Sequence, residues 1–226
     1  MTGVAGVLAL VLAETVAGAA ALTWISPLWN ETKRSYFTLW TVLASLLFAW
    51  PAWFATSSAA VPGDSTGRWV TELALVIAVL GTVAAGVFLL RRPTVGRIVG
   101  LVSLPVSVAV LAVMAATGRQ GYLVSLFQLA AGAAFLGAAY DGLFLGHWYL
   151  TDRKLTRRPI GRATLMLIVA SVVEMAAATL LIAIVVRAAL RGERAAAEQS
   201  ATGFYYLAVV TAFTAEIAVR TRFLPG

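Results

Sequence analysis

The sequence predicts an all-α protein, a polytopic membrane bundle of seven transmembrane helices with its N-terminus outside and its C-terminus in the cytoplasm. Composition points there first. Of 226 residues 61% are hydrophobic and 12% charged, whereas a soluble domain carries about a quarter charged residues. The apolar residues also gather into long uninterrupted runs, and the basic residues fall mostly on alternate connections between those runs. Seven helices of about 20 residues use about 140 and leave about 86 for tails and short loops. No room remains for a soluble catalytic domain, so the whole of 1–226 reads as one integral membrane domain.

The first run, Val4 to Trp24, is rich in Ala, Val and Leu and carries Glu14 at its centre. A cleaved signal peptide is the alternative, with small residues from Ala17 to Ala21 available for processing. Glu14 in the apolar region and the lack of any preceding Lys or Arg count against it. The second run spans Tyr36 to Thr56 and contains Pro51. The third spans Trp69 to Leu90, and the fourth Ile98 to Thr117 with Pro105 inside it. Both prolines remove a backbone donor and are expected to distort their helices. The fifth run, Tyr122 to Leu145, continues as helix to Leu150, where Gly142 and Gly146 have the spacing that lets backbones approach closely. The sixth spans Ala163 to Val186 and the seventh Gly203 to Val219. Strands of a membrane barrel would alternate polar and apolar residues, which these runs do not. An open sheet would leave backbone groups unpaired in lipid.

Orientation follows from the basic residues, because short loops rich in Lys and Arg stay in the cytoplasm. One side holds Lys33, Arg34, Arg91, Arg92, Arg97, Arg153, Lys154, Arg157, Arg158, Arg162, Arg220 and Arg222. The other holds only Arg68, Arg119, Arg187, Arg191 and Arg194. Aromatic residues agree with this. Trp24, Trp29, Tyr36, Trp40, Trp148 and Tyr149 fall at one end of the runs, and Trp50, Trp53, Trp69, Tyr122, Tyr205 and Tyr206 at the other, as headgroup-level belts do. Location in a bacterial cytoplasmic membrane is the expectation, helped by Ala- and Arg-rich usage.

Five acids lie within or at the ends of these runs: Glu14, Glu72, Asp141, Glu174 and Glu216. At about 1.5 Å per residue Glu14, Glu174 and Glu216 fall near mid-membrane, Glu72 near the outer end and Asp141 near the inner end. An ionised acid at a helix centre costs about 2.5 to 3.5 kcal/mol to insert, against about 0.3 to 0.6 returned by each Leu or Ile. Such acids must be protonated, paired or turned to a polar interior. The expectation is an ion or proton site built from Glu14, Glu174 and Glu216, with Glu72 at the outer mouth and Asp141 with His147 at the inner one. The competing expectations are structural: a helix ion pair from Glu216 to Arg220, interhelical hydrogen bonds for Glu14 and Glu174, and interface anchoring for His147. Gln128, Tyr140, Phe144 and Trp148 form an expected ligand pocket along the fifth helix. Arg153, Lys154, Arg157, Arg158 and Arg162 are expected to meet anionic lipid headgroups or an acidic partner.

Residue types exclude several chemistries. With no cysteine there are no disulfides, iron–sulfur clusters or thiolate metal sites, and the single histidine cannot supply a bis-His haem. No phosphate loop, metal signature, catalytic set or nucleic-acid-binding feature stands out, so an enzyme is not the expectation, and bound cofactors are left open. The seven-helix layout with an outside N-terminus invites comparison with microbial rhodopsins, but covalent retinal needs an intramembrane lysine. Lys33 and Lys154 both sit in loops. The layout is also similar in topology to small sugar transporters of three-plus-one-plus-three construction, yet their Pro-Gln pairs are absent. The functional expectation is proton or cation handling by intramembrane carboxylates. The alternative is a non-catalytic subunit of a larger energy-converting or assembly complex, binding lipid, quinone or partner helices.

Overall fold

The computed structural model describes residues 3–25, 32–118, 121–152, 155–156 and 158–189, with side chains from 5 to 177 within those ranges. The expected seventh helix, Glu216, Arg153, Lys154 and Arg157 lie outside the described residues. The chain divides into two compact units, Met1–Glu174 and Met175–Gly226, and the account below concerns the first. The described residues are helical throughout, without a strand: α1 (Gly3–Ile25), α2 (Arg34–Ala44), a π turn (Ser45–Ala49), α3 (Trp50–Ala59), α4 (Ser65–Leu89), α5 (Pro93–Ala115), α6 (Tyr122–Thr151) and α7 (Arg158–Ala189). With α2, the π turn and α3 counted as one rod, six helices are long and apolar enough to cross a membrane.

Local chemistry sets the helix ends. Asp64 accepts a hydrogen bond from the Thr66 backbone N–H at 3.0 Å and caps α4 four residues before the apolar run expected from Trp69. Pro93 opens α5 at a position where a missing N–H costs nothing. Gly121, at φ +93°, turns the chain into α6 in a backbone conformation that side-chain-bearing residues avoid. The π turn directly precedes Pro51, and the Trp50 N–H bonds the Ser45 carbonyl, five residues back. Pro51 brings no donor and its ring crowds the preceding turn, so the helix widens there. Sequence reading anticipated a distortion at Pro51 but not its π form.

Helix α1 is central, packing on α6, α3 and α5, while α4 packs on α5. Small residues bring the helices together. A Cβ at Gly18 would lie 1.7 Å from the Ala133 carbonyl oxygen, and one at Gly137 would lie 2.3 Å from the Gly18 carbonyl carbon. The α1 and α6 backbones therefore touch, which is how helices associate where lipid is as apolar as their side chains. Buried Ala9, Ala13 and Ala17 place α1 in the apolar core of the bundle.

Gly18→Ala is expected to push α1 from α6 and to destabilise the protein by about 1 to 3 kcal/mol or more. Gly142→Ala, where an added Cβ meets nothing within 4 Å, should be neutral or stabilise by up to about 1 kcal/mol. Thermal unfolding of both variants in one detergent checks the contrast.

Candidate functional site: two carboxyl clusters

The α1–α6 contact positions Glu14. One turn before Gly18, its carboxyl rests on Gly132 of α6, so that a Cβ there would lie 2.9 Å from Cδ and Oε1. Glu174 of α7 lies within electrostatic reach of Glu14. Gln128 stands one turn before Gly132, on the same stripe of α6. Among the described residues, Glu174 Oε2 and Gln128 Nε2 are buried without hydrogen-bond partners. The neighbouring hydroxyls do not serve the acids: Thr15 donates to the Val11 carbonyl at 2.7 Å and Ser171 to the Leu167 carbonyl at 2.7 Å. Two carboxyls from different helices thus lie within electrostatic reach of each other, one resting on Gly132 and the other with an oxygen that no donor among the described residues serves. Such a group of atoms can take up a proton or a small cation, because either would relieve repulsion between the acids.

A second cluster forms where α2 meets the far part of α6. Asp141, only 3% exposed, accepts a hydrogen bond from the Tyr36 hydroxyl at 3.2 Å. Tyr36 is 2% exposed and meets the Trp148 ring edge to face, with centroids 5.9 Å apart. Trp40 donates its indole N–H to Thr23 and packs on Phe144 with centroids 4.4 Å apart, while Phe48 packs on Tyr140 at 4.6 Å. Lys33, one turn before Tyr36, forms an ion pair with Asp152 at 2.9 Å. Tyr140, Phe144 and Trp148 of the expected ligand pocket are thus packed against side chains of α2 and the π turn. Trp24, Tyr36 and Trp40, expected as headgroup-level aromatics, are buried. Trp148 covers the Tyr36 ring of a polar pair that would otherwise be costly to bury.

The remaining expected site residues stand apart from both clusters. Glu72 is exposed and pairs with Arg68, one turn back, at 3.5 Å. His147 is exposed, and its Nδ1 lies 3.1 Å from the carbonyl of Leu143 on its own helix. Arg158 and Arg162 are exposed near the start of α7. No group of three or more potential metal-ligating His, Cys, Asp or Glu occurs among the described residues. Sequence reasoning missed Tyr36 as the donor to Asp141, Lys33 as the partner of Asp152, and Gly132 as the floor beneath Glu14. Tyr36 and Asp141 do fall at one depth, the one signal available beforehand.

The chain matches no protein-family model, no curated protein and no solved structure. Its fold is that of a membrane-type, multi-pass helical protein.

Tyr36→Phe removes the donor to a buried carboxyl and should cost about 1 to 3 kcal/mol. Lys33→Ala takes the exposed cation from Asp152, which is itself buried, and should also cost about 1 to 3 kcal/mol. Parallel thermal unfolding of the two variants in detergent checks both.

Proposed function

We propose that the protein handles protons or small cations across the cytoplasmic membrane, as a secondary transporter or an ion-conducting subunit, with Glu14 and Glu174 as the exchange site. One observation carries this reading: two acids, each at mid-length of its own helix, lie within electrostatic reach of each other, Glu14 resting on Gly132 and Glu174 keeping a buried carboxylate oxygen that accepts no hydrogen bond among the described residues. Acids placed only for structure would be expected to have each oxygen paired. In this reading the chain crosses seven times with its N-terminus outside. The Tyr36–Asp141 pair closes the inner end, the Lys33–Asp152 pair meets cytoplasmic water, and Glu72 lies at the outer mouth.

The expected result for protein reconstituted in liposomes holding a pH-sensitive dye is flux driven by an imposed potassium or sodium gradient. Glu14→Gln together with Glu174→Gln should lower it at least tenfold. Equal flux in this double variant and the native protein would overturn the reading.

A second reading, as a non-catalytic subunit of a larger membrane complex, is favoured by α7. Only 17% of its apolar stretch is buried, against 33 to 39% in the other five spans, and an apolar groove of about 640 Å³ runs beside it, lined by Ala17, Phe127, Ala130, Leu165 and Val169 among others. A partner helix or lipid would cover this face. Purification from native membranes in mild detergent should then yield a stoichiometric complex, while an isolated monomer or homodimer counts against it.

A further inference from the structure

A cavity of about 50 Å³ lies between α1, the α2–π–α3 rod, α4 and α5. Val16, Ala19, Ala20 and Thr23 of α1 face it, whereas Glu14 and Gly18 face α6, so α1 separates this cavity from the carboxyl site. The widened π turn supplies one wall through Ser45 and Phe48. Four hydroxyl groups from three elements line it: Thr23, Thr41, Ser45 and Ser103.

The hydrogen-bonding state of that wall is specific. Thr41 donates to the Phe37 carbonyl at 2.6 Å, Ser45 to the Thr41 carbonyl at 2.8 Å and Ser103 to the Gly100 carbonyl at 2.6 Å. Thr23 accepts from the Trp40 indole. Three of the hydroxyl protons are therefore committed to backbone carbonyls, while every hydroxyl oxygen has lone pairs to offer. The rest of the lining is apolar, so a polar occupant would be held at these hydroxyl oxygens and would bring its own donors. No carboxylate lines the cavity, which disfavours a bare cation. The space is several times the ~10–15 Å³ that one water needs, and it is too small for a drug-sized ligand, whose pockets run to about 300 Å³ and above.

We propose that this cavity is a binding site for a small cluster of water molecules, held by the hydroxyl oxygens of Thr41, Ser45 and Ser103. The cluster bridges the π turn to α5 and gives the bundle a second hydrated space, on the opposite side of α1 from Glu14. It stands independently of the carboxylate reading, because its donors and acceptors are uncharged.

Pulsed X-ray radiolysis of the full chain in nanodiscs tests this, since hydroxyl radicals born from a bound water oxidise the side chains around it. The expected result is oxidation of Phe48 at least ten times faster than that of Phe37, which is buried and outside the cavity. Ser45→Ala with Ser103→Ala should slow Phe48 oxidation at least threefold. Equal rates for Phe48 and Phe37 in the native protein would show a dry cavity and overturn the proposal. Fast Phe48 oxidation that persists unchanged in the double variant would overturn it too, because the water would then not be held by these oxygens.

Discussion

The backbone contact between α1 and α6 is the constraint from which the polar arrangement follows. Lipid gives no hydrophobic reward for pressing two apolar helices together, so association rests on close packing and polar contacts. Gly18 and Gly137 permit an approach that any Cβ would block. That approach lays the Glu14 carboxyl on Gly132, because Glu14 and Gly18 occupy adjacent turns of one helix face. A carboxyl pressed on a glycine surface excludes other side chains from one flank, and Glu174 lies within electrostatic reach of it.

The hydroxyl residues of the bundle follow a common pattern. Thr15, Thr41, Ser45, Thr82, Ser107 and Ser171 each donate to the carbonyl four residues earlier in their own helix. In an apolar surround this satisfies each hydroxyl locally, and the oxygens still accept from outside, as Thr82 does from the Trp50 indole at 2.9 Å. Acids have no such local solution, since a carboxylate only accepts and the helix N–H groups are already used. Each buried acid therefore needs another helix. Asp141 finds Tyr36 on α2, whereas Glu174 keeps an oxygen without a hydrogen bond among the described residues. The first is a resolved cost and the second an unresolved one. That difference separates a carboxyl that has an interhelical donor from one that has none among the described residues.

Much of the architecture was legible beforehand. The first six apolar runs correspond to the six long helices, because length and hydropathy act on each segment separately. Depth along each helix was legible as well: a fixed rise per residue puts Glu14 and Glu174 near mid-span. Ends moved by several residues where capping chemistry extended a helix beyond its apolar part, as at Asp64 and Pro93. The rod broken before Pro51 was legible only as a proline, since whether the helix kinks, widens or stays regular depends on what packs beside it.

Residue by residue, then, the sequence alone determined the class of fold, the spans within the described residues and the positions of Glu14, Glu72, Asp141 and Glu174 along their helices, because these depend on local composition and a constant helical rise. Which acids meet was decided only by tertiary structure. Runs apolar on all sides carry no face preference that would set the rotation of each helix about its axis, and that rotation decides whether Glu14 sees Glu174, Asp141 sees Tyr36, or Glu72 sees only Arg68. Glycines at Gly18, Gly132 and Gly137 fix the rotation by admitting close approach on one face alone, and their effect appears only when two helices are brought together.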